Sequence, residues 1–590
     1  MSAKPLNSAL LHYLGLAGIL LLGAILRFWQ LDLKPLWPDE IITALFSLGH
    51  SYLDVPLNEV FPLSRLPQIL TLQPAASCPQ IAQTIASESV HPPLFFCLMH
   101  GWLGWLNLGA GSLAWEVRTL PALIGVGAIA ATYDLSRVAF SPAAGLMAAA
   151  VMAVSPFAVY LSQEARHYTL PMLLVILALS GLTRVLQAQS PQHTSRPGYR
   201  PSAHWLTWLG WMVVNSVGFY VHYFFLLAFV AQVVTLLGLM WQAPQTPPRT
   251  WMAAGLAITA IVLSYLPWLP TLVSHFGRPE TEWLTLSSNR WSDSIAPLYQ
   301  LLAGWVIMAI ALPVENQPLW LTIPAGLVMI AFSGWLVRQI LPGIKQLWRN
   351  SQTHLPTLTL LSFTVCVLLQ FFVLVYIFGK DITIAPRYNF TYYPSICALL
   401  GAALVSIPSP FYRRLKTGWG RLRGSPRRVQ ASVVLVGILS CLFVVNDLAF
   451  QKPFAPRQVA KDISQEPLPL AVMVGYDSYQ DVALGLSYAV ELHNQHLGRQ
   501  SSAKVAVAFF KQSRGSQPWT LPSLAQSFTR ELPLNLWVIS PQHQQSDYPQ
   551  RLTLSDQSSI SRTQTCTLAF NQYHQAFGVP YQLYHCQPKL

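Results

Sequence analysis

The sequence predicts a mainly α-helical, polytopic membrane protein with a small α/β domain at its C-terminal end. Of its 590 residues, 53% are hydrophobic and 10% are charged, and the mean hydropathy is +0.40. A soluble domain usually carries about 25% charged residues, and many apolar runs in this chain approach the roughly 20 residues that a helix needs to cross a bilayer. Beyond residue 450 the chain becomes polar and shows short alternating runs.

Eleven apolar runs are long enough to span a bilayer, which predicts a bundle of about 11 transmembrane helices. No small-x-small cleavage site closes the first run, so we expect a retained helix and not a cleaved signal. Two other stretches, 92–108 and 297–312, are shorter or interrupted, and we interpret them as helices lying along the membrane surface. The predicted spans are 8–28, 117–137, 142–161, 168–187, 204–221, 223–241, 251–273, 318–340, 357–379, 389–408 and 430–449.

The distribution of charge predicts the orientation of these spans. If the N-terminus is cytoplasmic, none of the five cytoplasmic loops contains Asp or Glu, and the last one, 409–429, carries seven Lys or Arg. An excess of Lys and Arg is typical of cytoplasmic loops. We therefore expect a multi-pass protein of the plasma (inner) membrane with a cytoplasmic N-terminus and a periplasmic C-terminal domain. Insertion and anionic membrane lipids account for the net charge of +13, so no nucleic-acid partner is needed. The other predicted cytoplasmic loops are 138–141, 188–203, 242–250 and 341–356.

Two domains follow from this arrangement. Residues 1–449 form the transmembrane domain, with long external loops at 29–116 and 274–317, and residues 450–590 form the extracytoplasmic domain. In the latter, "DVALGLSYAVEL" has helical spacing, whereas "AKVAVAFF" and "LNLWVIS" are typical of strands. The chain shows no internal repeat, so an inverted-repeat transporter gains no support.

The seven cysteines form no CxxC and no Cys/His cluster, which argues against a structural zinc site. We expect ordinary buried thiols at the four positions that lie in apolar runs. Two cysteines of the polar tail could pair if the tail lies in an oxidising compartment. The four thiols are Cys97, Cys366, Cys397 and Cys441, and the two tail cysteines are Cys566 and Cys586.

Polar residues, most of them ionisable, collect at the predicted outer ends of the spans. Each has a structural explanation: an acid can simply lie outside the apolar slab, an arginine can extend to the interface and pair with a neighbouring Glu, and Tyr223 can belong to an aromatic belt. Ionisable groups at this depth usually face a cavity or a partner, and the whole set therefore favours a site. The residues are Asp39, Glu40, His91, Glu116, Arg118, Gln163, Glu164, Arg166, His167, Tyr168, His222, Tyr223, Asp381, Arg387 and Tyr388.

These residue types suit a specific reaction. A carboxylate can take a proton from an acceptor hydroxyl or amine, and arginines stabilise a phosphate leaving group as its charge grows. A phosphate leaves without protonation, so a single base suffices. Sugar transfer from a lipid-linked phosphate, whose tail stays in the bilayer, would use such a site at a membrane surface.

Five motifs, in order, resemble those of the GT-C glycosyltransferases, of which the protein O-mannosyltransferases and the bacterial aminoarabinose transferases are the nearest members. The motifs are "PLWPDE", "HPPLFF", "EVRTLPALIG", "SPFAVYLSQEARHYTL" and "APRYNFTYYP", and the resemblance covers about residues 10–410. It implies a GT-C type bundle that transfers a sugar from a polyprenyl-phosphate donor on the extracytoplasmic face. Ile41-Ile42-Thr43 follow the two acids where the aminoarabinose enzymes have Thr-Arg-Tyr, so this sugar and lipid A as its acceptor are not expected here.

The resemblance also implies roles for individual residues. It places the catalytic base at Asp39, with Glu40 beside it to orient it, to act on it as a like charge or to assist with a cation. The positions near the donor phosphate correspond to Arg118, Arg387, Tyr388 and His91, of which the last occupies the place of a phosphate-binding lysine. Candidates for the remainder of the substrate pocket are Glu164, Arg166, His222 and Tyr223.

Several alternatives stay open. The acceptor is a lipid, a glycan or a protein. A divalent metal is undecided, because no third and fourth acid lie close in sequence, although Glu164 could approach in the fold. The chain could instead be a transporter or flippase of lipid-linked sugars, or a non-catalytic protein of envelope-glycan assembly. A transporter predicts charges near the middle of several spans, whereas the spans here have apolar interiors.

Overall fold

The structure is a computed structural model that describes residues 4–106, 111–189, 204–243, 246–285, 291–408, 425–467, 469–496, 504–512, 533–541, 543–555 and 563–587. The chain forms two compact units. The helical unit consists of Met1–Leu33, Ser89–Phe95 and Arg118–Phe450, and the sheet unit consists of Lys34–Glu88, Phe96–Val117 and Gln451–Leu590. Most of two predicted cytoplasmic loops, at 190–203 and 409–424, lies outside the described residues.

Long apolar helices make up the helical unit. All eleven predicted spans fall on helices, and eight of these are long and apolar enough to cross a membrane by themselves. Two others are shorter, with 16 residues in His204–Phe219 and 13 in Tyr393–Val405. The chain is thus a multi-pass membrane protein. The helices are Lys4–Phe28, Leu113–Ala139, Pro142–Ala153, Pro156–Ser162, Thr169–Gln187, His204–Phe219, Phe225–Gln242, Pro248–Ser264, Leu269–Phe276, Trp291–Ala309, Leu319–Arg349, Ser351–Tyr376, Tyr393–Val405 and Pro426–Val445.

The third predicted span is bent. It consists of Pro142–Ala153 and Pro156–Ser162, which meet at an angle of 61°. Ser155 has an extended backbone and its hydroxyl accepts a hydrogen bond from the N–H of Ala158, so it caps the second helix. Pro156 follows in the first turn, where its missing N–H breaks no helical hydrogen bond. The bend therefore lies where the sequence provides the cap, Ser155, and the first-turn proline, Pro156, of a new helix.

Small residues allow the helices to approach closely. A Cβ at Gly401 would lie 2.5 Å from the backbone N and Cα of Ala148, and one at Gly343 would meet the carbonyl of Ala403. Such contacts are typical of helix packing in membranes, where close van der Waals contact replaces the hydrophobic effect. Leucines on the first helix are more than half exposed, as a lipid-facing surface requires (Leu10 58%, Leu14 57%, Leu21 63%).

A seven-stranded sheet organises the other unit. The strands are β1 (Val60–Pro62), β2 (Leu470–Tyr476), β3 (Val505–Lys511), β4 (Leu534–Ile539), β5 (Arg551–Ser555), β6 (Thr563–Ala576) and β7 (Val579–Gln587), in the order β1-β3-β2-β4-β7-β6-β5. Strands β3, β2 and β4 are parallel and the other pairings are antiparallel. The helix Tyr479–His496 connects β2 to β3, as a parallel crossover requires. The other helices of the unit are Pro38–Ser47, Leu66–Ile69, Cys78–Glu88 and Pro456–Ser464, and Leu94–Leu106 contributes most of its length.

The sequence-based prediction of an α/β domain is confirmed. "DVALGLSYAVEL" lies in the helix Tyr479–His496, and the two alternating runs form β3 and β4. Strand β2 is buried along its whole length, which explains why it reads as a continuous apolar run.

Part of the segment between the first two predicted spans contributes to the same sheet. The sequence predicts residues 29–116 as a loop of the transmembrane domain, and in the structure Lys34–Glu88 and Phe96–Val117 form one compact unit with Gln451–Leu590. Strand β1 pairs with β3, and the ring of Tyr52 stacks on that of Tyr479 at 4.5 Å between centroids. A strand of three residues is too short to show a periodic pattern, so this pairing is not visible in the sequence.

The sheet unit contains two disulfides, Cys78–Cys97 and Cys566–Cys586. The expectation of an ordinary thiol at Cys97 is therefore wrong. Cys78 begins one helix and Cys97 lies in the first turn of another, and only the tertiary fold brings them together. Cys566 and Cys586 are directly paired across β6 and β7. The remaining described cysteines, Cys366, Cys397 and Cys441, are free.

Candidate active site

Asp39 and Glu40 lie in the first turn of the helix Pro38–Ser47 in the sheet unit. Carboxylates are stabilised there by the partial positive charge of a helix N-terminus. The two acids differ in environment: Asp39 is half-exposed, whereas Glu40 is fully buried. The Thr43 hydroxyl donates to the backbone carbonyl of Asp39 at 3.0 Å and stabilises the first turn. Asp39 is therefore the more accessible of the two acids.

Glu40 forms an ion pair with Lys452. The Nζ of Lys452 lies 3.5 Å from Oε2 of Glu40, and both side chains are almost completely buried. The same Nζ lies 5.8 Å from the ring centroid of Trp37, within range of a cation–π interaction. A buried carboxylate needs such a partner, because burial of a single charge is very unfavourable. Glu40 thus has a structural role in a buried ion pair, whereas Asp39 is half-exposed.

In the helical unit, three loops bring histidines and arginines together. His91 precedes the helix Leu94–Leu106, Arg166 and His167 follow Pro156–Ser162, and His222 lies in the turn before Phe225–Gln242. The ring centroids of His91 and His167 are 5.1 Å apart, and those of His167 and His222 are 4.6 Å apart. Arg387, on the 3-10 helix Pro386–Thr391, acts on all three histidines electrostatically. We call these five residues the histidine–arginine cluster.

The hydrogen bonds of the cluster indicate neutral imidazoles. Arg166 Nη2 donates to His91 Nε2 at 3.1 Å, so His91 carries its proton on Nδ1 and donates it to Ser89 Oγ at 2.9 Å. His222 Nδ1 accepts from the backbone N–H of Phe224 at 3.0 Å. Among the described residues, neither ring nitrogen of His167 has a hydrogen-bond partner, although the side chain is fully buried.

Burial and the nearby arginines shift the histidine pKa values downward. Desolvation is the largest cause for each of the three, and Arg166 and Arg387 add repulsion. The pKa values of His91 and His167 lie well below 6.5, and that of His222 is lowered to about 3. The cluster therefore holds two permanent cations beside imidazoles that become cationic only when an anion compensates them.

Aromatic rings surround Arg387. Its guanidinium carbon lies 5.6 Å from the ring centroid of Trp283, 5.7 Å from Tyr388 and 5.9 Å from Tyr168. Arg166 lies 5.7 Å from the same Tyr168 ring. A guanidinium group beside aromatic faces keeps its N–H donors, which lie in its own plane, available for a phosphate.

The other candidates of the helical unit have different neighbours. Arg118 is fully buried, and its Nη1 donates to the carbonyl of Leu31 at 2.9 Å. The backbone carbonyl of Glu164, which is also buried, accepts from the Arg166 N–H at 2.7 Å.

Tyr223 belongs to a separate hydrogen-bonded group. Its hydroxyl accepts from the Trp268 indole at 3.2 Å and donates to His275 Nδ1 at 2.7 Å. Burial raises the pKa of Tyr223 to about 12, so the hydroxyl stays protonated. His275, the hydrogen-bond partner of Tyr223, also lowers the pKa of His91, so this group adjoins the histidine–arginine cluster.

The structure thus brings His91, Arg166, His222, Arg387 and Tyr388 together in the helical unit, and Asp39 and Glu40 in the sheet unit.

Sequence reasoning missed Lys452 and gave no role to His167 or Trp283. His167 belongs to the set of residues selected from the sequence but received no role of its own, whereas nothing in the sequence links Lys452 to Glu40. In the part of the chain that the structure describes, no group of three or more His, Cys, Asp or Glu side chains is arranged to hold a metal ion.

Comparison with known proteins identifies the fold. No protein-family model and no curated protein matches the chain. The crystal structure of ArnT from Cupriavidus metallidurans bound to undecaprenyl phosphate superposes with a TM-score of 0.51 over 97% of each chain, at 14% identity. The apo structure of the same protein gives 0.50 over 98% of each chain, at 13% identity. The archaeal oligosaccharyltransferase AglB from Archaeoglobus fulgidus, in complex with an inhibitory peptide and a dolichol-phosphate, gives 0.44 over 90% of this chain and 69% of that one, at 13% identity. Because the sequence identities are low, the likeness to ArnT establishes the fold alone. This chain has the GT-C fold that its motifs predicted.

Proposed function

We propose that the chain is a membrane glycosyltransferase that moves a sugar from a polyprenyl-phosphate donor to an acceptor hydroxyl or amine on the extracytoplasmic face. The observation that carries this proposal is the shared fold, over 97% of both chains, with a protein whose crystal structure contains undecaprenyl phosphate. The histidine–arginine cluster supports it, because two arginines framed by aromatic rings have the chemistry of a phosphate site.

The proposed reaction is a displacement at the anomeric carbon. The acceptor oxygen or nitrogen attacks this carbon while the bond from the carbon to the phosphate oxygen breaks, and the electron pair leaves with polyprenyl phosphate. The carboxylate of Asp39 takes the proton of the acceptor. The half-exposed position of Asp39 supports this assignment over Glu40, which is buried against Lys452.

The proposed phosphate site uses the cations of the helical unit. Arg166 and Arg387 stabilise the phosphate as its charge grows, and Tyr388 offers a further hydrogen bond. The neutral His91 accepts from Arg166 Nη2 and so holds this guanidinium in position. The burial of Arg118 against the Leu31 carbonyl supports a second role, in which it fixes the end of the first span. His222, Glu164 and Tyr223 remain pocket candidates.

The disulfides support the proposed orientation. Disulfides persist in oxidising compartments such as the periplasm and are rare in the cytosol. Both disulfides lie in the sheet unit, together with the first external loop and the C-terminal domain. This location supports our proposal that the sheet unit lies outside the cytoplasm and the N-terminus inside.

The test uses cells that lack the protein. Mass spectrometry of their lipid extract should show an accumulated polyprenyl-phosphate sugar, together with the loss of one decoration from an envelope glycan, lipid or protein. The unaltered chain should restore the decoration. Asp39→Asn should not, and should reach the membrane in the same amount, because the amide keeps the size of the side chain and cannot accept the proton.

The matched control is Asp477→Asn, an exposed acid of the same unit. It should restore the decoration fully. Full restoration by Asp39→Asn would refute the assignment of the base. A lipid pool and envelope that do not change when the protein is absent would refute the transferase itself, and transport of an intact lipid-linked sugar in vesicles would indicate a flippase.

A further inference from the structure

The chain segment that carries Lys452 has an unusual backbone. Four non-glycine residues between positions 447 and 455 have positive φ: Asp447 (59°), Phe450 (55°), Phe454 (67°) and Ala455 (41°). Each such conformation costs about 1–3 kcal/mol and persists only where the surrounding contacts fix it. The strain therefore marks a segment that must hold one particular path, and Lys452 lies in the middle of it.

Two neighbouring residues of one helix secure this path and the start of the acid-bearing helix. On Tyr479–His496, the Tyr488 hydroxyl donates to the carbonyl of Phe454 at 3.3 Å. The adjacent Ser487 hydroxyl donates to the carbonyl of Leu36 at 2.6 Å, two residues before the helix Pro38–Ser47 begins. The helix Tyr479–His496 thus holds both the segment that carries Lys452 and the segment before the helix that carries Glu40, and these two residues form the ion pair.

We propose that the C-terminal domain positions the catalytic base, with Lys452 as the positioning residue through which it acts on Asp39. This inference rests on the proposed function, and it gives the C-terminal domain a role that the sequence did not suggest. Lys452 holds the buried Glu40 in place and neutralises it, so that the first helical turn is fixed and Asp39 does not have an uncompensated charge as its immediate neighbour.

The charge balance has a consequence that can be measured without knowing the substrate. Replacement of Asp39 by a cysteine puts a titratable thiol at the half-exposed position. Loss of the Glu40 charge leaves an excess of positive charge nearby and favours the thiolate, whereas loss of the Lys452 charge leaves an excess of negative charge and disfavours it.

The experiment follows alkylation of the full chain by iodoacetamide as a function of pH, with mass spectrometry of the peptide that contains position 39. Relative to Asp39→Cys alone, the addition of Glu40→Gln should shift the titration of the thiol to lower pH by about half to one unit. The addition of Lys452→Met should shift it to higher pH by a similar amount, and the addition of both should return it to its starting position. If one single variant does not fold, the other and the neutral double variant still give the comparison. Identical titrations in all backgrounds would overturn the proposal.

Turnover provides the second readout, with the accumulated lipid donor as the substrate. Lys452→Met should lower kcat by about tenfold or more and leave KM within a factor of about two, because the base is displaced but the donor site is intact. Lys452→Arg should retain more activity. The control is Arg457→Met, which breaks a half-exposed ion pair with Glu491 in the same unit, 3.8 Å between Nε and Oε2, and should change neither constant.

A full kcat in Lys452→Met would refute the positioning role even if Asp39→Asn is inactive. If Asp39→Asn is active, the assignment of the base in the proposed function fails, while the thiol titration still reports whether Lys452 controls the charge at position 39.

Discussion

Acidification should destabilise the helical unit. The pKa shift of His222 gives the size of the expected loss of stability. Its pKa is about 3 in the folded chain against an ordinary value of 6.5, because the imidazole is buried beside Arg166 and Arg387. The folded state thus binds the proton more weakly than the unfolded state does. The stability contribution is fully present above pH 6.5 and is lost as the pH falls toward 3.

The expected loss follows from the size of the shift. One pKa unit corresponds to about 1.4 kcal/mol, so at pH 5 the unfolded state gains about 2 kcal/mol from the titration of His222 alone. His91 and His167 shift in the same direction and steepen the dependence.

Scanning fluorimetry of the detergent-solubilised chain between pH 5 and 8 measures this dependence through the tryptophans. His222→Gln should flatten the decline of the apparent unfolding temperature toward low pH, because the amide does not titrate. The control, His354→Gln, changes a histidine that hydrogen-bonds to the Trp348 carbonyl outside the cluster, and should leave the slope unchanged. The readout is the slope and not the absolute temperature, so a general destabilisation does not affect it. Parallel curves for the unaltered chain and His222→Gln would refute the electrostatic reasoning.

Three further predictions concern binding and packing. Arg387→Ala should weaken the stabilisation of the chain by added undecaprenyl phosphate by about 1.5–3 kcal/mol, the usual value of a hydrogen bond to a charged group, whereas Arg349→Ala, on the opposite side of the predicted membrane, should not. Gly401→Ala should destabilise the chain by about 1–3 kcal/mol, because its Cβ would lie 2.5 Å from backbone atoms of Ala148, and Gly326→Ala, which has nothing within 4 Å, should be neutral in thermal unfolding. Under oxidising conditions, Cys97→Ser should lower the free energy of unfolding by about 3 kcal/mol. In the presence of a reductant, the variant and the unaltered chain should be equally stable.

The fold was largely predictable because its signals are local. Apolar runs of membrane-spanning length, the bias of Lys and Arg and the alternating patterns of β3 and β4 are each contained in a short window of sequence. The bend at Ser155 and Pro156 is equally local, since a cap and a proline mark it.

The site was predictable only in part. Arg387 and His222 could be selected because each lies next to the end of a predicted span. The different burial of Asp39 and Glu40 could not be predicted, because adjacent residues on a helix point in different directions and only the packing determines which one is buried. Lys452 lies more than 400 residues from Glu40, and no periodicity links them.

The sequence by itself determined that this chain crosses a membrane many times and that polar residues collect at one end of the predicted spans. It also determined which residues resemble those of GT-C enzymes. These properties depend on hydropathy, charge and motifs, which neighbouring residues carry together. The tertiary structure decided that the segment between the first two predicted spans joins the C-terminal sheet, that Cys78 pairs with Cys97, and that Glu40 is buried against Lys452. Each of these is a contact between segments far apart in the chain, and such contacts form only when the free energy of burial outweighs the entropy of bringing the segments together.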